Sequence, residues 1–221
     1  MKTGLLPGIN LILTILAVLL TFLPMLLYKW KKLGPDKSYL AISIFWIING
    51  VLYLPEIFHW EWYEKASDQI TLAYNLIDAP LIILFFYYTF RKKFFLYLIA
   101  VFVVFELILN IWKGYNFYSD NFIIGIGSLI CLILSIWAIS IYFLKVEHTD
   151  KENALVFVYA GLIFYYGIFL SVTYFFNYLN SSGAQLPYVR FINWIDIILA
   201  TSLISFGYWK FAHADYREEG F

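Results

Sequence analysis

Two copies of one tetrapeptide, Asn75-Leu76-Ile77-Asp78 and Asn193-Trp194-Ile195-Asp196, set a carboxamide and a carboxyl three residues apart inside apolar stretches. Residues at that separation share a helix face, so each copy offers an ionisable group beside an amide that can orient it. A third carboxyl, Glu106, lies in another apolar stretch with Asn110 four residues on, and Tyr74 precedes Asp78 by four. Asn49, Tyr53 and Glu56 form one helical stripe of their own. Three chemistries are open to such a set: holding a proton, binding a small cationic or protonatable ligand, or activating water between two aspartates that share a proton. These side chains are the candidate ligand- or proton-binding residues, and no catalytic or metal-ligating residue is assigned.

The elements that carry them must be membrane helices. With 62% hydrophobic and 14% charged residues and a mean hydropathy of +0.76, the chain has the composition of an all-α, polytopic membrane protein. Its 221 residues accommodate seven spans of roughly 20 residues in a single transmembrane domain, 1–221. The spans are expected at about 5–28, 38–59, 70–90, 94–112, 122–144, 154–178 and 191–211. The first has a basic residue before it, as a signal peptide does, but it is too long for one and ends in Lys29, Lys31 and Lys32; it reads as a retained helix.

Charge is distributed unevenly between the loops. Lys29, Lys31, Lys32, Lys37, Arg91, Lys92, Lys93, Lys145, Lys151, Lys210 and Arg217 fall on one side, against Lys2, Lys65, Lys113 and Arg190 on the other. That bias predicts an N-terminus outside and a C-terminus in the cytoplasm. The segment between the second and third spans, with Glu56, Glu61, Glu64 and Asp68 among Trp60, Trp62 and Tyr63, would be an outward acidic and aromatic loop.

Depth follows from a rise of about 1.5 Å per residue. Asp78 lies 13 residues before Arg91, Asp196 14 before Lys210 and Glu106 13 after Lys93. All three carboxyls are therefore expected roughly 20 Å from the cytoplasmic edge. No Lys or Arg lies inside these spans to neutralise them, so the three are expected to form one outward-facing acidic cluster in which each is protonated, hydrated or paired. Gly167, Ser171, Tyr174 and Tyr178 of the sixth span would extend it outward. Shifting the chain by 118 residues superposes the two tetrapeptides and lays spans 1–3 over spans 5–7, the pattern of a parallel 3+1+3 repeat.

Several chemistries are excluded. Retinal needs a Schiff-base lysine within the last span, and Lys210 sits at its edge. A metal hydrolase needs several His near its acids, and only His59 is on that side. No Gly-rich phosphate loop or G-x-S-x-G nucleophile occurs, and the basic patches are too small for nucleic acid. No cofactor is expected, and the one cysteine, Cys131, allows no internal disulfide. The flanks of Asp78 and Asp196 do not match the Tyr-Asp and Gly-x-Gly-Asp motifs of presenilin-like proteases.

Short loops, an aromatic-rich sixth span, and a seventh running from Trp194-x-Asp196 to Gly207-Tyr208-Trp209-Lys210 make the chain similar to small bacterial seven-helix integral membrane proteins. The resemblance implies a fold and a bacterial inner membrane, not an activity. Three readings follow, in order of preference. The first is a carrier of protons, of cations or of a small solute coupled to them. The second is a seven-helix receptor that binds a small ligand from outside and signals through a membrane or cytoplasmic partner. The third is an intramembrane hydrolase with Asp78 and Asp196 as a dyad. The bilayer is a partner in all three.

Overall fold

In lipid a helix satisfies every backbone group within its own segment. The computed structural model is accordingly helical apart from short connections over the residues it describes: 5–31, 33, 36–58, 60–113, 117–179 and 187–218. Side chains at 5–7, 56–57, 61–65, 67–68, 71–72, 113, 117–121, 173–179, 187–190 and 213–218 lie outside the description. In chain order the helices are α1 (Leu5–Thr21), α2 (Leu23–Trp30), α3 (Lys37–Phe58), α4 (Glu61–Phe90), α5 (Phe94–Lys113), α6 (Phe117–Leu144), α7 (Asp150–Leu179) and α8 (Pro187–Glu218). Seven segments are long and apolar enough to cross a membrane, α1 and α2 together making the first.

Three boundaries differ from the hydropathy pattern. The first span is broken by a turn at Phe22, where Pro24 near the start of α2 cannot donate a backbone hydrogen bond. The acidic, aromatic segment expected as a loop after the second span is the beginning of α4, which runs unbroken from Glu61. At the other end α8 outlasts its apolar stretch and continues to Glu218. Pro55 and Pro80 both sit inside helices that continue past them. Arg91 closes α4 in the left-handed conformation, at φ 56°, its N–H bonded to the Tyr87 carbonyl at 2.8 Å.

Six spans form a ring. The α1–α2 span packs on α3, α3 on α4, α4 on α6, α6 on α7, α7 on α8, and α8 back on α1 and α2. Large aromatics fill the middle, among them Tyr39, Phe45, Trp46, Phe85, Phe86, Tyr166 and Tyr208, all buried. Without a hydrophobic drive between helices in lipid, this van der Waals interdigitation is what holds them together. Ser128, Cys131, Ser135 and Ala138 of α6 are also buried, a small-residue stripe used for packing within the chain.

The remaining span, α5, lies outside the ring against α4 and α6. Tyr97, Val101, Val104, Ile108 and Ile111 are exposed at helical spacing, the face a bilayer would cover, while Phe95, Phe102 and Glu106 are buried on the other. The carboxyl of Glu106 therefore points into protein and not into lipid.

The basic connections meet at one end of the bundle. Lys37 lies over the Tyr88 ring, Lys92 over Trp137 and Lys210 over Phe157, and Lys151 pairs with Asp36. Burial alone would raise the Asp36 carboxyl, but the Lys151 ammonium and Ser38, whose N–H donates at 3.0 Å, outweigh it and hold Asp36 below its ordinary 3.8. An acid depressed on folding stabilises the fold above its unfolded pKa and loses that contribution as pH falls through the folded one. Lys151→Met is thus expected to lower stability at neutral pH by under about 1 kcal/mol. Thermal melts over a pH series should show the gap from wild type closing as pH falls below 3.8.

Candidate functional site

A cavity of about 190 Å³ opens where α4, α5 and α6 meet beside the ring centre, walled also by α3 and α7. Its size corresponds to on the order of six waters at about 30 Å³ each. Gly127 of α6 makes the junction possible: a Cβ there would stand 3.0 Å from the Phe102 ring and 3.1 Å from the Ala79 methyl. The lining carries two carboxyls, Asp78 from α4 and Glu106 from α5, together with Tyr53, Tyr74, Asn75, Ser128, Tyr165 and Tyr166. Phe102 and Phe169 add aromatic faces, and Ala79, Ile123 and Ile124 complete the wall with Gly127. No Lys, Arg or His is among them.

The two acids are held differently. The Tyr74 hydroxyl lies 2.6 Å from Asp78 Oδ1 and 2.9 Å from Asn49 Oδ1. The orientation of the Asn49 amide is fixed by its Nδ2, which donates to the Phe45 carbonyl at 3.0 Å, and its Oδ1 also receives a long contact of 3.4 Å from the Tyr165 hydroxyl. One phenolic proton shared between two acceptors bonds each weakly. Both short contacts are full hydrogen bonds together when Asp78 is neutral and donates to the Tyr74 oxygen while Tyr74 donates onward to Asn49. The result is a chain from α4 to α3.

Glu106 has no such support. It is 1% exposed, and neither of its carboxyl oxygens has a hydrogen-bond partner among the described residues. The Tyr166 hydroxyl, also buried and lining the cavity, lies near the Asp78 carboxyl and Cys131. The carboxyls of Asp78 and Glu106 are within electrostatic range of each other. A buried carboxylate stays charged only where something pairs with it, so the Glu106 carboxyl is either protonated or paired with a cation.

Among the residues singled out from the sequence, the structure brings Asp78, Glu106, Tyr53, Tyr74 and Asn75 to the cavity and sets Asn49 immediately behind it. Asp196, Asn193 and Asn110 do not line it. Asp196 is 2% exposed, with its Oδ1 unpartnered among the described residues. It joins no three-acid cluster, because α8 occupies the opposite side of the ring from α4; equal depth on two helices does not make them neighbours. Tyr165 stands between, in electrostatic range of both aspartates. Asn110 is half-buried with an unpartnered Oδ1, Asn193 is half-buried on α8, and the Glu56 side chain lies outside the described residues.

The α7 wall was not legible from spacing. The expected stripe Gly167–Ser171 is on another face: Ser171 is exposed and its hydroxyl donates to the Gly167 carbonyl at 2.8 Å, while the side chains of Tyr174 and Tyr178 lie outside the described residues. Tyr165, Tyr166 and Phe169 face the cavity instead. Tyr53 reaches beyond it and meets the Trp194 ring at 5.1 Å, which ties the cavity wall to α8. Among the described residues no group of three or more His, Cys, Asp or Glu could hold a metal ion.

Seven helical segments among the described residues are long and apolar enough to cross a membrane, which suggests a multi-pass membrane protein. No family model, curated protein or solved structure matches the chain.

Proposed function

We propose that this protein is a membrane carrier for protons, for cations or for a small solute exchanged with protons, and that Asp78 and Glu106 are the groups that bind them. One observation carries the reading: among the described residues, two carboxyls from different helices share a cavity lined by no basic side chain, and one of them is buried with both oxygens unpartnered. A purely structural acid would be expected to hydrogen-bond its neighbours, as Asp78 does and, among the described residues, Glu106 does not. The receptor reading would use the same cavity, and only movement of solute across the bilayer separates the two. The aspartate dyad has less support, since Asp196 is outside the lining.

The finer topology belongs to the same proposal. The basic side chains that meet at one end favour a cytoplasmic face there, with the N-terminus outside. Asp78 is 13 residues from Arg91, so the cavity would lie in the outer half of the membrane. The helix ring supports the 3+1+3 repeat: the neighbours within spans 1–3 recur within spans 5–7, the junctions of span 3 with 5 and of 7 with 1 correspond, and the fourth span is left outside. The resemblance to small bacterial seven-helix proteins is the ground for placing the chain in a bacterial inner membrane.

The test is uptake by proteoliposomes under an imposed pH gradient, read with an interior pH dye. Wild type should dissipate the gradient, and Glu106→Gln should cut the rate by about tenfold or more, the order of effect for removing one protonatable group from a transfer path. Uptake that is absent in wild type at every gradient, with and without added alkali cations or small amines, would end the carrier reading.

A further inference from the structure

The two acids divide the work, and the division points to a class of ligand. Asp78 is already engaged with Tyr74 at 2.6 Å, and the onward contact to Asn49 is satisfied by a neutral carboxyl. Glu106 and Tyr166 are both 1% exposed; neither Glu106 carboxyl oxygen has a partner among the described residues, and the Tyr166 hydroxyl, which lies near Asp78, has an oxygen that can still accept. Around them stand the rings of Tyr53, Phe102 and Phe169. A carboxylate, a hydroxyl oxygen able to accept, and aromatic faces are the complement of a cation that carries both N–H groups and an apolar body. A hydrated inorganic ion would waste the rings, and a quaternary ammonium would leave the hydroxyl and carboxyl unbonded. The cavity of about 190 Å³ has room for a small organic cation, since an apolar cavity of about 150 Å³ accommodates benzene.

We propose that the cavity binds a small primary ammonium compound, its N–H groups donating to Glu106 and Tyr166, and that the cation takes the place of a proton on Glu106. This rests on the carrier reading of the same site and names its substrate class. When the cavity is empty Glu106 holds a proton; as the ammonium enters, that proton leaves to water, so one cation exchanges for one proton. The titratable groups that face Glu106 are Asp78 and Tyr74 of α4, Tyr53 of α3, and Tyr165 and Tyr166 of α7, with Cys131 of α6 near Asp78. Asp78 keeps its proton throughout.

Calorimetric titration of the purified full-length protein with propylammonium, tetramethylammonium and sodium, in buffers of different ionisation enthalpy, tests this. Propylammonium should bind at least about tenfold more tightly than the other two, with one proton released per cation. Glu106→Gln should weaken it by about tenfold or more, whereas Asp196→Asn, a buried acid outside the lining, should stay within about threefold. Melting curves for both variants establish that each is folded, and Glu106→Asp should recover part of the binding. The proposal is overturned if tetramethylammonium binds as well as propylammonium, if no proton is released, or if Glu106→Gln keeps the binding. Binding without uptake in liposomes would leave this inference standing and remove the carrier. Proton uptake without ammonium binding would do the reverse.

Discussion

Gly161→Ala and Gly207→Ala are each expected to destabilise the protein by about 1–3 kcal/mol, the usual cost of overpacking a closed interface. A Cβ on Gly161 of α7 would stand 2.8 Å from the Ala200 carbonyl oxygen and 2.7 Å from Ile204 Cγ1. On Gly207 of α8 it would stand 2.7 Å from the Ala154 carbonyl oxygen. A side chain can rotate away from an intruding methyl, but a neighbouring helix backbone cannot, so α7 and α8 would have to move apart along their whole contact. Gly167, on the same α7, is the matched control, since its Cβ would meet nothing closer than Leu132 Cδ1 at 3.9 Å. Alanine there removes only the helix penalty of glycine and should be neutral or stabilising by up to about 1 kcal/mol. Reversible unfolding in mixed micelles, followed by tryptophan fluorescence, reads all three. A Gly207→Ala protein as stable as wild type would mean that the two helices do not approach this closely.

How much of this was legible beforehand follows from what each signal measures. Hydropathy reports the stretch that lipid must cover, so it found the seven spans but began the third near residue 70 and ended the last near 211. Helices obey backbone bonding rather than lipid thickness, and α4 and α8 run on into polar sequence. The carboxyls stood out because an ionisable group in a span is costly and needs a reason. Depth arithmetic then paired Asp78 with Glu106, which do share a cavity. The same arithmetic joined Asp196 to them, and there it fell short: distance along a helix axis carries no information about position around the bundle. Tyr165, Tyr166 and Phe169 escaped notice because α7 has aromatic residues on every face, leaving no periodicity to say which one turns inward. The break at Phe22 had a visible cause in Pro24, outweighed by the length of the apolar run around it.

Tyr74→Phe should cost about 1–3 kcal/mol, because it strips a buried network of its one shared donor. The hydroxyl it removes lies 2.6 Å from Asp78 Oδ1 and 2.9 Å from Asn49 Oδ1, and the Tyr165 contact to Asn49, at 3.4 Å, is too long to replace it. Asp78→Asn makes a sharper comparison. If Asp78 is neutral, an amide in its place donates to the Tyr74 oxygen just as the acid did, Tyr74 still donates to Asn49, and little stability is lost. If Asp78 were charged, Tyr74 could fully serve only one of its two acceptors, and the amide would change the bonding pattern altogether. The expected result is therefore that Asp78→Asn costs less than half of what Tyr74→Phe costs in the same unfolding assay at neutral pH. In a double-mutant cycle the pair should couple by about 0.5–3 kcal/mol, as contacting members of one network do. Additive effects would mean that the chain from α4 to α3 does not act as a unit, and the neutral state of Asp78, on which the proton exchange at Glu106 depends, would lose its structural basis.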